Sequence, residues 1–272
     1  MSNRGFELTV KTVNVQKPNF NWESSLIFSL NRNKITRLFG NTGSYVLQGE
    51  SHEGEVPDYT NKWFPGHSID AIWDYDVQGI WQEEEAEQAK TYGLRPGDYK
   101  VADLDGNDAL EALQDKTFIG YTVPRSLFGF RNDITFLKHF SASIFIRADL
   151  GHLRSFPWAI AEYSTFDRRS TANYDYWTPE NRSNEFPRLG NNKSPFGGGL
   201  MPYKSSAFVR IQDISLGYSV PSDLTEKIKM RDVRVFGAVR NAFTFTKWPG
   251  WDPESGNSPM PRTFTFGLNL SL

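Results

Sequence analysis

The sequence predicts an all-β protein: an antiparallel transmembrane β-barrel segment with long extracellular loops and short periplasmic turns. Three observations predict this fold class. Apolar and polar residues alternate with a period of two, which places them on opposite faces of a pleated strand. Several alternating stretches exceed the ~5–6 residues typical of globular strands and reach the ~9–11 that cross a membrane at a tilt. The connections are either very short or very long, which is the asymmetry of outer-membrane barrels.

The alternation is clearest at the C-terminus and recurs along the chain. In residues 263–272 every even position is apolar and every odd position is small or polar. The same period occurs in residues 20–30, 141–151, 213–220 and 233–239. The polar side of one stretch carries two charges in mid-strand, Arg147 and Asp149, as the lumen of a barrel does. The pattern leaves one alternative open, a soluble sandwich with its apolar face turned inward.

The connections indicate which side of a membrane each segment occupies. Tight turns are predicted at residues 15–19 and 137–140, and long extracellular loops at 83–123, 152–203 and 244–261. The one convincing helical pattern is the stretch WQEEEAEQAKTYG.

Counting backwards from a periplasmic C-terminus gives each strand a direction. The count makes residues 69–82 an outward strand, and the turn at 15–19 makes residues 20–33 outward as well. Because successive strands alternate in direction, an inward strand is expected within about residues 44–64, with FPGHS as its periplasmic turn. The count thus gives about nine strands, an odd number that only a fragment of a larger, even-stranded barrel should have.

Composition excludes several classes of function. The chain has 272 residues, a net charge of −2 and a mean hydropathy of −0.53. It therefore lacks the excess of positive charge that is typical of proteins that bind nucleic acid. It also has no apolar run of the ~20 residues that a membrane helix needs. Cysteine is absent, which excludes disulfides and thiolate chemistry. The four histidines do not have the spacing of paired metal ligands. The sequence also contains no nucleophile motif of the G-x-S-x-G type and no phosphate-binding loop. It therefore does not predict an enzyme.

Several blocks of sequence follow one another in a recognisable order and cover nearly the whole chain. They include FGFRNDITFLKHFSASIFIRADLG, FVRIQDISLGYSVPSDL and VRVFGAVRNAFTFTKWPGWDPE. In these blocks the chain resembles the SusC/RagA family, the TonB-linked outer-membrane transporters of Bacteroidetes. The resemblance implies that residues 1–272 are the C-terminal part of a TonB-dependent receptor β-barrel domain, about nine strands of a larger barrel of the 22-stranded type. The plug domain and the N-terminal barrel strands would be absent.

The same resemblance implies a function, a location and partners. The chain would be part of a nutrient importer in the cell outer membrane of a Bacteroidetes-type Gram-negative bacterium, taking up oligosaccharides or peptides. The implied partners are outer-membrane lipid, a SusD-like surface lipoprotein and the TonB system, the last reached through the missing N-terminal part. No nucleic-acid partner is expected. The residues alone leave open a soluble all-β ligand-binding module, which would not need detergent for extraction.

One local motif is typical of a metal site. Asp103, Asp105 and Asn107 have the 1, 3, 5 spacing that gathers oxygen ligands around calcium. Members of the resembled family often carry a fuller loop here, whereas this chain has Asp108 where a turn-forming glycine is wanted. Its last acidic residue also comes one step late. The alternative is a solvated Asx-rich turn, and no cofactor other than calcium is predicted. The candidate calcium ligands are Asp103, Asp105, Asn107, Glu111 and Asp115.

Tryptophans and the C-terminus supply the other candidate residues. Trp73 and Trp81 are predicted to belong to interfacial aromatic girdles. The tryptophans predicted to contact a ligand or partner from loops are Trp158, Trp177, Trp248 and Trp251.

The resemblance also extends to the C-terminal signal read by the outer-membrane assembly machinery, although the last residue of that signal is usually aromatic. The matching residues are Thr265, Gly267, Leu270 and Leu272.

Overall fold

The computed structural model describes residues 1–159, 175–196, 199–256 and 258–271, which are mostly strand. In chain order the strands are β1 (Ser2–Lys17), β2 (Phe20–Lys34), β3 (Thr42–Leu47), β4 (Glu50–Glu55), β5 (Ala71–Tyr75), β6 (Val77–Ile80), β7 (Tyr99–Val101), β8 (Lys116–Tyr121), β9 (Ser126–Phe136), β10 (Phe140–Leu150), β11 (Leu153–Ser155), β12 (Tyr203–Ser205), β13 (Phe208–Ser219), β14 (Asp232–Thr246) and β15 (Thr263–Ser271). The helical elements are α1 (Ala86–Thr91), α2 (Ser222–Thr225) and 3₁₀ turns at Glu83–Glu85, Pro157–Ala159 and Glu226–Ile228. The predicted all-β class is confirmed.

Seven of these strands form one large sheet, in the order β1-β2-β9-β10-β13-β14-β15. The pairings from β2 to β15 are antiparallel. Their register keeps apolar residues beside apolar residues: Ile214 lies opposite Ile144, and Val239 lies opposite Phe264. Because the side-chain period of a strand is two, this register gathers the apolar side chains on one face and the polar ones on the other.

The connections of the large sheet differ in length between the two ends of its strands. The shorter ones join β1 to β2, β9 to β10 and β13 to β14 at one end, and the long ones all leave from the opposite end. In the β9–β10 turn, Leu137 and Lys138 have φ values of 51° and 65°. Positive φ at both residues is what a tight hairpin needs to match the twist of its strands. The predicted tight turn at this place is therefore observed.

The expectation of about nine strands in this sheet is wrong, because the described residues contribute seven. Residues 69–82 do not join it: β5 pairs with β8 and β6 with β7, each in a separate two-stranded sheet. The inward strand expected within residues 44–64 is instead part of the hairpin of β3 and β4. FPGHS is therefore not a turn of the large sheet. Since β2 pairs directly with β9, strand directions alternate without a hidden strand.

The two faces of the large sheet differ in chemistry. On β15 the apolar residues Phe264, Phe266 and Leu268 are 61%, 84% and 57% exposed. The opposite face carries ion pairs, among them Arg131 with Asp133, whose Nε and Oδ2 atoms are 2.8 Å apart. A contiguous apolar face of this extent marks a surface that contacts protein or lipid rather than water.

The chain divides into two compact units, which we call the sheet unit and the loop unit. The sheet unit comprises Arg4–Asn31, Pro124–Gly151 and Ser206–Leu272, and the loop unit comprises Met1–Asn3, Arg32–Val123 and His152–Ser205. Among the described residues, none of the helices has the length and apolar composition needed to cross a membrane.

The loop unit has a core of its own, built largely from aromatic residues. Trp73, Trp81 and Phe64 are at most 3% exposed, and Tyr75 and Phe196 are fully buried. Their burial contributes hydrophobic stabilisation to these long connections. The prediction that Trp73 and Trp81 form interfacial girdles is therefore wrong, because both pack inside this core.

Candidate functional site

The candidate calcium loop lies in the loop unit between β7 and β8. Asp103 shapes its turn: Oδ1 accepts a hydrogen bond from the Gly106 N–H (2.7 Å) and Oδ2 accepts one from the Asp108 N–H (3.0 Å). Asp108 has a φ of 59°, the left-handed conformation that favours glycine and that aspartate tolerates better than most residues. The sharp turn expected here is formed, with aspartate in the place of glycine.

Asp115 closes the loop from inside the protein. Its side chain is fully buried, and its two oxygens accept hydrogen bonds from the N–H groups of Leu104 (2.8 Å) and Glu111 (2.7 Å). One oxygen from each of Asp103, Asp105 and Asp115 lies within 4.8 Å of the others. Oxygens that share one calcium ion at ~2.3–2.6 Å are at most about 5 Å apart. The three carboxylates therefore have the spacing of a partial calcium ligand set.

The remaining two predicted ligands bond within the loop. Asn107 Nδ2 donates to Asp105 Oδ2 (3.0 Å) and to Glu111 Oε2 (3.4 Å). Asn107 Oδ1 accepts from the Ala109 N–H (2.8 Å). Of the five predicted ligands, the structure thus brings three together and leaves Asn107 and Glu111 as hydrogen-bonding partners at the exposed side.

The carboxylates of the loop differ in acidity. Burial raises the pKa of Asp115 above its ordinary value, and the charges of Asp103 and Asp105 raise it further. Burial also favours a raised pKa for Asp103, but hydrogen bonds from the Gly106 N–H and the Tyr92 hydroxyl outweigh it and lower that pKa. Burial and the hydrogen bond to Asp103 raise the pKa of Tyr92 to about 12. The loop therefore concentrates negative charge that a divalent cation would neutralise.

A second polar cluster, which we call the arginine clamp (Arg147, Arg210, Asp252 and Glu254), lies in the sheet unit. Arg210 on β13 donates to Asp252 (Nη2–Oδ2, 2.6 Å) and to Glu254 (Nη1–Oε2, 2.8 Å). Arg147 on β10 donates to the other oxygen of Glu254 (3.0 Å). The side chains of Arg210 and Asp252 are only 3% and 5% exposed. The clamp holds the connection between β14 and β15 against two strands of the sheet, β10 and β13. Sequence analysis did not identify this cluster.

The four loop tryptophans have different environments. Trp177 and Trp248 are each 6% exposed, and the Trp177 indole N–H donates to Gln82 Oε1 (3.0 Å). Both indoles therefore pack inside the protein. Trp251 is 62% exposed and is accessible for a ligand or partner contact. The side chain of Trp158 lies outside the described part of the structure.

The predicted assembly signal lies in β15, which pairs with β14. Thr265 and Gly267 share the polar face by their alternation, whereas Leu270 belongs to the apolar face and is 53% exposed. The Phe236 ring occupies the space that a Cβ at position 267 would need, so glycine is required there for packing. Leu272 lies outside the described residues, and recognition by the assembly machinery stays a prediction.

Comparisons with known proteins find TonB-dependent receptors that are similar to this chain. No protein-family model matches it. It is 27% identical over 294 residues to TonB-dependent receptor P3 of Formosa agariphila, covering 100% of this chain and 29% of that protein. It is 26% identical over 281 residues to the TonB-dependent receptor SusC of Bacteroides thetaiotaomicron, covering 100% of this chain and 26% of that protein. The chain thus spans less than a third of the length of these relatives.

Solved structures share the fold. The RagAB peptide transporter has a TM-score of 0.65 at 21% identity, covering 99% of this chain and 29% of that one. The RagAB peptide importer in the closed-closed state has a TM-score of 0.66 at 21% identity, with the same coverage of 99% and 29%. These relatives and neighbours are receptors and transporters, not enzymes. The resemblance seen in the sequence is therefore confirmed: along its whole length this chain is similar to SusC and other TonB-dependent receptors.

Proposed function

We propose that the chain is part of an outer-membrane TonB-dependent importer that takes up oligosaccharides or peptides with a SusD-like surface lipoprotein. The observation that carries this proposal is the exposed apolar face of the seven-stranded sheet. Phe243 and Phe245 on β14 are 54% and 62% exposed and pair with Ile211 and Val209 of β13. Further along β14, Val239 pairs with the exposed Phe264 of β15. Strands that alternate apolar-out and polar-in are those of barrels in the outer membrane.

The connections fit the same proposal. All long connections leave one end of the strands, and they contain both the loop unit and the residues held by the arginine clamp. In outer-membrane barrels the long loops face the cell exterior and the short turns face the periplasm. Under this proposal the exposed Trp251 is on the exterior side, where a substrate or a surface lipoprotein arrives.

Extraction and uptake test the proposal on the complete receptor in a Bacteroidetes host. We expect the receptor in the membrane fraction, released only by detergent, and purified together with its SusD-like lipoprotein. Substrate uptake should stop when the TonB protein is deleted. Recovery of the receptor in the supernatant without detergent would instead indicate a soluble all-β binding module.

We also propose that Ca²⁺ binds at Asp103, Asp105 and Asp115. Calcium takes ~6–8 oxygen ligands, so this partial set should bind in the weak, ~10⁻⁴–10⁻³ M range of extracellular sites. Titration calorimetry of the complete receptor should give a saturable heat at neutral pH. The affinity should fall as the pH is lowered through the raised pKa of Asp115, because protons then compete with the ion.

Matched substitutions sharpen the calcium test. Asp105→Asn keeps an oxygen for the hydrogen bond from the Asn107 N–H (3.2 Å) but removes one charge, so the heat should disappear. Glu87→Gln removes the charge of an exposed glutamate on α1 and should leave the heat unchanged. An unaltered heat in the Asp105 variant would leave the loop as an Asx-rich turn without metal.

A further inference from the structure

A cluster of polar groups interrupts the apolar face of the large sheet on β1, β2 and β9. We call it the polar notch, and its members are Thr12, Asn14, Trp22, Ser24 and Asn132. The register places it on the apolar face, because Ser24 lies opposite Asn132 and Asn132 lies opposite Ile144. Residues directly opposite each other share a face of the sheet. Under the proposed function, the notch therefore lies among side chains that contact lipid.

The groups of the polar notch are joined by hydrogen bonds that lead to Asn132. Thr12 Oγ1 donates to Asn14 Oδ1 (2.9 Å), and Asn14 Nδ2 donates to Ser24 Oγ (2.6 Å). Asn132 Oδ1 accepts from both Ser24 Oγ (2.7 Å) and the Trp22 indole N–H (2.9 Å). Both lone pairs of this oxygen are thus used, whereas Asn132 Nδ2 donates to none of the described residues. Because an amide nitrogen carries two N–H groups, Asn14 also keeps one for a ligand. The notch therefore presents hydrogen-bond donors.

The polar notch lies near the end of the strands that carries the short turns. Ser24 is four residues from Phe20, where β2 begins, whereas Val239 is seven residues from Asp232, where β14 begins. A strand tilted by ~35–45° rises about 2.5 Å per residue along the barrel axis, which puts Ser24 about 10 Å and Val239 about 18 Å from these ends. The headgroup layer on each side of a bilayer is ~5–8 Å thick. The notch is therefore at the border between headgroups and hydrocarbon, and Val239 lies well inside the hydrocarbon.

We propose that the polar notch binds the headgroup of a phospholipid in the periplasmic leaflet. The phosphate and ester oxygens of a phospholipid accept hydrogen bonds, and the notch offers amide N–H groups at the depth where those oxygens lie. Leu26 and Phe130 lie opposite each other, one row further from the turns, and both are exposed. They would contact the acyl chains of the same lipid. This inference rests on the proposed outer-membrane importer and adds a bound lipid to it.

Native mass spectrometry of the complete receptor, released from detergent micelles, tests the inference. Delipidated receptor is titrated with palmitoyl-oleoyl phosphatidylethanolamine. Asn132→Leu removes the amide, whereas Asn132→Asp keeps an acceptor for Ser24 and Trp22 but has no N–H group. Both variants should lose one bound lipid or bind it roughly ten-fold more weakly, the effect of one or two lost hydrogen bonds.

Asn21→Leu is the matched control. Asn21 precedes Trp22 on β2, so its side chain is on the opposite, polar face, where it lies opposite Thr135. This variant should bind lipid as the parent does. Asn132→Leu should reach the outer membrane in normal amounts, because leucine suits a position that faces lipid. Its loss of lipid would then not result from misfolding.

Unchanged lipid binding by both Asn132 variants, or an equal loss in the Asn21 variant, overturns the inference. A dimer of the parent receptor that Asn132→Leu dissociates also overturns it, because the polar notch would then be a contact between two copies. TonB-dependent uptake, measured on the same variants, separates this result from the proposed function. If the receptor inserts and imports while lipid binding is unchanged, the importer function stands and the lipid site fails. A receptor recovered without detergent would overturn both.

Discussion

Replacing Val239 with arginine is expected to remove the folded receptor from the outer membrane. Val239 lies in the middle of β14, opposite Ile214 and Phe264, on the apolar face of the sheet. An arginine that faces lipid near the bilayer midplane costs about 2–4 kcal/mol, which is a large part of the stability of one domain. The measurement is the amount of receptor in the outer-membrane fraction that migrates as a folded barrel on unheated gels.

The neighbouring residue provides the matched control. Ala238 lies opposite Ser215 and Thr265, on the polar face that already carries Arg240. Ala238→Arg introduces the same side chain one position away, but it faces the lumen, so normal levels are expected. Equal loss of both variants, or normal insertion of both, would contradict the assignment of the two faces.

Loss of the central arginine of the clamp should strongly destabilise the connection between β14 and β15. Arg210→Ala leaves Asp252 buried with its charge unpaired, and breaking a buried ion pair in this way costs about 3–5 kcal/mol. The connection between β14 and β15 should then exchange its amide hydrogens faster, and the melting temperature should fall. Hydrogen-exchange mass spectrometry over residues 247–256 measures the first effect, and calorimetry of the receptor in detergent measures the second.

Two further substitutions distinguish the contribution of burial from that of charge to the loss of stability. Asp252→Asn in the Arg210→Ala background removes the unpaired charge and should recover part of the lost stability. Arg240→Ala breaks the pair with Asp213 (3.2 Å), whose side chains are 68% and 42% exposed, so it should cost about 0–1 kcal/mol. A similar loss from Arg240→Ala and Arg210→Ala would mean that burial of the clamp has no energetic role.

The strands of the large sheet are predictable because their alternation is long and uninterrupted. The alternation at residues 263–272 corresponds to the strand Thr263–Ser271, and that at 141–151 corresponds to the strand Phe140–Leu150. Residues 69–82 alternate as well, yet they form β5 and β6 in the loop unit. A period of two marks any strand with one buried face, whether that face meets lipid or a protein core. The misassignment of Trp73 has the same origin.

Whether a candidate site could be predicted from the sequence depends on how far apart its residues lie in the chain. Asp103 and Asp105 are two positions apart, so their spacing alone indicated the acidic loop. Arg210 and Asp252 are 42 residues apart, and Arg147 and Glu254 are 107 apart. These partners meet only because β10, β13 and β14 pair side by side and the next connection returns over them. Local patterns carry no information about such pairings, so the clamp was not predictable.

The unequal connections of the large sheet also determine the order in which its strands can pair during folding. β9 and β10 are joined by residues 137–139, whereas β2 reaches its neighbour β9 only across residues 35–125. Local hairpins form in about 1–10 μs, whereas pairings between distant segments are slow because the chain entropy is lost before contacts form. We therefore expect β1–β2, β9–β10 and β13–β14 to form as hairpins first. The registers of β2 with β9 and of β10 with β13 are set later. Errors in strand alignment should therefore concentrate in those two pairings.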